Sequence, residues 1–234
     1  MSEQITSEEW DDVCQRAAYH DEYKFRQIGF VPDVIYDIGA DVGSMTMLAH
    51  TCFPRAKIIA VEPHRHTYPR LQTRTAGIPE IVPVHAAVGK GRMFEAPHHV
   101  GPLHNWVVEE SSHRMSDVMI PISIPAIGLD ELYATHGGTK YIVKMDCEGA
   151  EFHILRDDAS RKVIEDSSYF AAEFHCFGNG PNQTEESLAD ARFLLMFIYG
   201  LTLTHKVYTC CHGAAIHVWA KRQTDPDLGG FLLL

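Results

Sequence analysis

Basic side chains are scarce in this 234-residue chain: 20 Lys and Arg stand against 31 Asp and Glu, for a formal net charge of −11. Phosphate backbones are held largely by Lys and Arg, so this balance argues against a nucleic-acid partner. Long apolar runs are missing as well. No window approaches the ~20 consecutive apolar residues of a membrane span, and the run at 231–234 is too short to anchor the chain. The acidic stretch MSEQITSEEWDDVC has no apolar segment and does not read as a secretory signal. None of the six cysteines, at 14, 52, 147, 176, 210 and 211, belongs to a CxxC pair. Most of them fall inside apparent strands or helices, as buried thiols of a reducing compartment do, so the cytoplasm is the expected location. Cys210-Cys211-His212 reads as a turn, because adjacent cysteines suit one tetrahedral zinc poorly. Histidine is plentiful instead. With 15 in the chain, no single one, His98, His99 and His104 included, is diagnostic by itself.

The residues that are present follow a rhythm. Val34–Ile38, Lys57–Val61 and residues 81–85 are short, nearly continuous apolar runs, as expected of parallel strands buried on both faces. Between them, Ser44–Cys52 and residues 65–76 read as helices, which predicts right-handed βαβ crossovers. Residues 89–126 interrupt the pattern with scattered Gly, Pro and His. An insertion of irregular loop and hairpin lying over one edge is expected there, and residues 118–120 and Ile122–Ile124 are short β-like runs within it. Residues 128–136 predict a helix ended by Gly137-Gly138. Tyr141–Met145 predicts a fourth strand, residues 150–155 open a helix, and residues 169–174 predict a fifth strand. Residues 184–198 are amphipathic and predict a long helix. Leu201–Tyr208 and residues 215–220 are β-rich and joined by too few residues for a parallel crossover, so they must be antiparallel neighbours. The division expected is an N-terminal helical extension over 1–30, one α/β domain over 31–222, and a tail over 223–234. The insertion and the tail are candidates for covering a site or for a homodimer contact.

Buried strands alternating with helices and closed by an antiparallel hairpin form a doubly wound, Rossmann-like layout. It is the layout of class I S-adenosylmethionine (SAM) methyltransferases, whereas a dinucleotide-binding domain continues with parallel units. The turn after the first strand runs Asp37-Ile38-Gly39-Ala40-Asp41-Val42-Gly43. Gly39 permits a tight turn at the carboxyl end of the strand, and Gly43 permits close helix packing. The spacing is GxxxG, without the GxGxxG of a pyrophosphate cradle. Asp41 would sit awkwardly beside a pyrophosphate but acceptably beside a sulfonium and an ammonium, and Asp37 is a candidate partner for the methionine ammonium. Glu62 ends the second strand, where a carboxylate accepts both hydroxyl protons of a ribose. Pro63 follows it. Ala86 and Ala87, after the third strand, are small enough to border an adenine.

The segments DIGADVGSMT (37–46), AVEP (60–63), HAAVG (85–89), LDEL (129–132), KMDCEGAE (144–151) and AAEFH (171–175) carry a resemblance to the FkbM family of SAM-dependent methyltransferases. It spans roughly residues 33–175, and the KxDxEGxE block is its most specific piece. The family usually carries Asn where Asp41 stands, and residues 92–125 and 176–234 match only in layout. What the resemblance implies is methyl transfer to a hydroxyl oxygen, commonly on a sugar or another small natural-product alcohol.

An alcohol is a weak nucleophile until a base or a metal withdraws its proton. In a doubly wound sheet such groups collect outside the carboxyl ends of the strands. Asp146 ends the fourth strand there, and Glu173 and His175 end the fifth on one side of it. Three roles fit them. His175 or Asp146 is a general base, with Glu173 orienting the histidine. Alternatively, Asp146, Glu173 and His175 hold Mg²⁺ or another divalent cation such as Mn²⁺ or Fe²⁺. In the third, Asp146 and His175 only fix the strand ends. Lys144 pairs with a carboxylate at this site or lies in the sheet packing as a satisfied cation. Glu148 and Glu151, in a first helical turn, suit the helix dipole. Two other readings share these residues: an NAD-dependent oxidoreductase and a non-catalytic SAM-fold binding protein.

Overall fold

The structure, a computed structural model, describes residues 18–90, 93–96, 106–109, 122–147, 150–175, 201–208 and 214–221, with only the backbone course given for 93–96, 106–109, 122, 175, 201–208 and 214–221. Strand β1 (Val34–Ile38) is buried at all five positions, because it lies at the centre of the sheet with helices on both faces. After it come α1 (Ser44–Cys52), β2 (Lys57–Val61), α2 (Tyr68–Thr75) and β3 (Ile81–Val84). The second half supplies α3 (Leu129–His136), β9 (Tyr141–Met145), α4 (Glu151–Arg156), α5 (Asp158–Asp166), β10 (Tyr169–His175), β11 (Leu201–Tyr208) and β12 (Ala214–Lys221). One seven-stranded sheet results, in the order β11-β12-β10-β9-β1-β2-β3. The five strands from β10 to β3 are parallel, and β12 and β11 complete the sheet as the expected antiparallel pair.

Two cores flank the sheet. On one face, Ile35, Ile58, Ala60 and Ile142 meet Leu48 and Ala49 of α1 and Leu71 of α2. On the other, Tyr36, Ile59, Val143 and Met145 meet Leu132 of α3, Leu155 of α4 and Ile164 of α5. Each fully buried aliphatic side chain contributes about 1.5–3 kcal/mol. Among the described residues, no helix is long and apolar enough to cross a membrane.

Two features differ from the sequence expectation. The helix opening near residue 150 stops at Arg156, and Asp157 starts a new one by accepting the Ser160 N–H at 2.8 Å, as an N-cap residue does. The insertion is also more regular than expected. Residues 118–120 lie outside the described residues. Ile122–Ile124 (β7) pairs with β5 (Met93–Ala96), which also pairs with β6 (Trp106–Glu109). The short strands β4 (Ala87–Val88) and β8 (Ala126–Ile127) tie the base of the insertion together in parallel. The expected helix at 184–198, residues 1–17, Glu148, His98, His99, His104, Cys210-Cys211-His212 and residues 231–234 lie outside the described residues.

Candidate active site

Register assembles the site. Ile38 is level with Val61 on one side and with Met145 on the other, so the residues that follow, Gly39, Glu62 and Asp146, emerge beside one another. Ala172 is level with Met145, which sets Glu173 beside Asp146. The order reverses between β1 and β9, so these residues border the crevice at the topological switch point of the sheet.

The glycine turn folds across the end of β2, with the N–H groups of Gly39 and Ala40 both donating to the Val61 carbonyl at 2.9 Å. Gly39 has φ +73°, and a Cβ there would lie 1.7 Å from the Asp146 carbonyl oxygen, so backbone meets backbone and no side chain fits. Gly43 has φ +87° and begins α1, with Leu71 of α2 closing over its missing side chain. Asp41 also adopts a left-handed conformation, and its N–H donates to Glu62 Oε2 at 2.8 Å. Glu62 Oε1 accepts the His64 N–H, also at 2.8 Å. Burial, reinforced by the Asp41 carboxylate, pushes the Glu62 carboxyl up to about 8. An acid held in one rotamer at the mouth of a glycine turn suits a diol that donates two hydrogen bonds. Pro63 is half-buried, and its carbonyl accepts the exposed His85 Nε2–H at 3.1 Å, with the His85 ring stacked on Tyr68. Ala86 and Ala87 are buried, Ala86 in the main core and Ala87 against Ile124.

Asp37 and Lys144 are level with each other on β1 and β9 and point to the same face. Both are almost wholly buried, with Lys144 Nζ 3.0 Å from Asp37 Oδ1. Thr46 donates its hydroxyl to the other Asp37 oxygen. The Asp37 carboxylate is thus taken up inside the protein, under the turn, and is not presented to a ligand ammonium as the sequence suggested. Lys144 also donates to the Gly39 carbonyl at 2.7 Å and lies 3.8 Å from Asp146 Oδ2. Burial by itself would lower the lysine pKa, but Asp37 and Asp146 outweigh it and hold the ammonium charged. Of the roles expected for Lys144, the structure realises the paired cation, which pins the glycine turn to the sheet. Glu151 is likewise turned inward, accepting the Cys147 N–H at 2.7 Å.

Sequence reasoning missed Tyr23. Its segment lies in a polar stretch, yet the side chain is buried and its hydroxyl donates to Asp146 Oδ2 at 2.9 Å, with Glu173 Oε2 at 3.5 Å. The ring lies 5.3 Å from the Lys144 ammonium. Asp21 fixes this loop by accepting the N–H groups of Phe25 and Arg26, and Tyr169 donates to the Tyr23 carbonyl at 2.9 Å. Asp21 and Lys24, on either side, have φ +52° and +59°, a strain of about 1 kcal/mol or more each that the surrounding contacts hold in place.

The expected metal set of Asp146, Glu173 and His175 is not complete among the described residues, because the His175 side chain lies outside them. Asp146 Oδ2 accepts the Tyr23 hydroxyl and faces the Lys144 ammonium. Among the described residues no group of three His, Cys, Asp or Glu side chains is placed to share a cation. Asp146, Glu173 and His175 do end adjacent strands as expected, although the His175 side chain is outside the description.

This topology, with the glycine turn and strand-end acid at the switch point, is that of the class I SAM methyltransferase fold. The chain matches the methyltransferase FkbM domain model over residues 37–198 and belongs to that family. Among solved structures, a candidate rRNA methylase from Clostridium thermocellum aligns with TM-score 0.51 at 7% identity, covering 91% of this chain and 97% of that one. Aeropyrum pernix fibrillarin, solved with natively bound S-adenosyl-L-methionine, aligns with TM-score 0.49 at 12% identity, over 88% of this chain and 76% of that one. Methanococcus jannaschii fibrillarin gives TM-score 0.49 at 10% identity, and the chain spans only 66% of its length while 81% of this chain is covered. At these identities the likeness is one of fold. No curated protein matches the chain.

Proposed function

We propose that this chain is a SAM-dependent O-methyltransferase that methylates a hydroxyl of a small-molecule or carbohydrate acceptor. The observation that carries this reading is the in-register convergence of the Gly39 turn, Glu62 and Asp146 at the switch point. Glu62 accepts the two ribose hydroxyls, and the backbone of the turn from Gly39 to Gly43, with Ala40 and Asp41 in it, borders the methionine arm. Bound SAM supplies an activated methyl group and a neutral thioether leaving group. The chain itself has to hold the acceptor in line and take one proton.

Asp146 is the residue proposed to take it, because its carboxylate is 29% exposed while Asp37 and Lys144 are sealed beneath it. The acceptor O–H proton passes to the Asp146 carboxylate as the oxygen–methyl bond forms. Such a general base contributes about 10²–10⁴-fold to the rate. Glu173, 3.5 Å from the same tyrosine hydroxyl, adds a second acid beside Asp146 at this end of the crevice. The net acidity of the chain favours an uncharged acceptor over a polyanion.

The test is transfer of a labelled methyl group from SAM to a panel of sugars, polyols and natural-product alcohols, with and without EDTA. Labelled ether product with EDTA present supports the reading. Nucleoside binding without transfer to any hydroxyl would leave a binding protein instead, and EDTA-sensitive activity restored by Mg²⁺ would bring back the metal.

A further inference from the structure

We propose that Tyr23 is a positioning residue for the methionine end of the cofactor site, acting through the Asp146 carboxylate; this rests on the SAM reading above. Three observations converge on it. The hydroxyl lies between two carboxylates from adjacent strands, 2.9 Å from Asp146 Oδ2 and 3.5 Å from Glu173 Oε2. One hydroxyl proton serves both, so the tyrosine fixes the rotamer of Asp146 and lessens the repulsion that would drive the pair apart. The loop that carries Tyr23, strained at Asp21 and Lys24, is held by two buried hydrogen bonds: the Asp21 carboxylate accepts the Phe25 N–H, and the Tyr169 hydroxyl donates to the Tyr23 carbonyl. Asp146 in turn touches the glycine turn: its N–H donates to the Ile38 carbonyl, and its own carbonyl occupies the place where a Gly39 side chain would be. A carboxylate fixed at that point attracts an ammonium and a sulfonium but offers nothing to an adenosine alone. Burial and the facing carboxylates push the Tyr23 hydroxyl pKa well up, so it remains a proton donor throughout the physiological range. The N-terminal segment, outside the 37–198 family match, thereby completes the site.

The experiment is calorimetric titration of the full chain with S-adenosylhomocysteine and with 5′-methylthioadenosine, which keeps the nucleoside and the sulfur but lacks the amino-acid arm. Tyr23→Phe keeps the ring and removes the hydroxyl. It should melt close to wild type, lose about tenfold in S-adenosylhomocysteine affinity, and bind 5′-methylthioadenosine unchanged. In an Asp146→Asn background it should add no further loss, since it acts through that carboxylate. Tyr169→Phe, which frees the Tyr23 backbone, should reproduce the same selective loss in weaker form. Unchanged S-adenosylhomocysteine affinity, equal weakening of both ligands, losses that add to those of Asp146→Asn, or a Tyr23→Phe chain that melts far below wild type would each overturn the proposal. If wild type binds neither nucleoside, the SAM reading has failed and the proposal falls with it. Binding by wild type without the selective loss removes the proposal alone.

Discussion

Replacing Glu62 with Gln removes one charge and almost no volume, yet the geometry predicts a large effect on nucleoside binding. Both carboxylate oxygens accept a backbone N–H at 2.8 Å, one from Asp41 and one from His64. A Gln amide nitrogen must therefore face one of those donors, and one N–H loses its partner whichever way the amide turns. A ribose diol that donated two charge-assisted hydrogen bonds would retain at most one neutral one. Hydrogen bonds to charged groups contribute about 1.5–3 kcal/mol, so the expected loss is about 2–3 kcal/mol, roughly thirty- to 150-fold in affinity for S-adenosylhomocysteine. The comparison belongs above about pH 8, where the wild-type carboxyl is ionised. The direction with pH follows from the raised pKa. The empty protein favours the neutral carboxyl, so the stability this group contributes is full below its ordinary value of 4.5 and is lost as the pH rises through about 8. A diol favours the ionised form. Wild-type affinity should therefore rise about tenfold per pH unit below about 8 and level off above it, with a proton released on binding, while Glu62→Gln stays flat. Calorimetry in two buffers of different ionisation enthalpy measures affinity and proton count together. Glu62→Gln binding within twofold of wild type, or a wild-type affinity independent of pH, would refute the reasoning.

Three further outcomes are expected. Lys144→Met leaves the Asp37 carboxylate buried without its cation and should cost about 3–5 kcal/mol, lowering the melting temperature by roughly 10 °C; a shift under 3 °C, as a rough limit, contradicts the paired-cation role. Gly39→Ala drives a Cβ into the Asp146 carbonyl and should abolish S-adenosylhomocysteine binding, so retained binding would mean that the turn does not form as described. Asp157→Ala removes the cap that starts α5 and should cost about 1 kcal/mol in chemical denaturation without changing ligand affinity.

Much of the frame was legible because parallel strands buried on both faces leave an unmistakable apolar run, as in Val34–Ile38 and Tyr141–Met145. The terminal hairpin followed from two β-rich runs joined by a link too short for a parallel crossover. The Gly39 turn and Glu62 were legible because a glycine link after one buried strand and an acid ending the next stand out in the sequence, although the groups they meet, Val61, Asp146 and Asp41, are brought to them by the fold. Tyr23 was not, because nothing local marks it: its partners lie 123 and 150 residues away, and only the folded sheet brings them together. Asp37 shows the converse difficulty. An acid at the end of the first strand looks like a ligand contact until the register reveals a lysine level with it on β9. The pairing of β5 with β7 was hidden because strand pairing across an insertion depends on which edges meet, a choice that alternation does not encode. The break between α4 and α5 was present in the sequence as Asp157, a residue type that favours N-caps as strongly as turns.

The most direct test of the account is parallel calorimetric titration of the wild-type chain with S-adenosylhomocysteine and with NAD. The account predicts saturable one-to-one binding of S-adenosylhomocysteine and no measurable heat from NAD. Saturable NAD binding, or silence from both nucleosides, would contradict it.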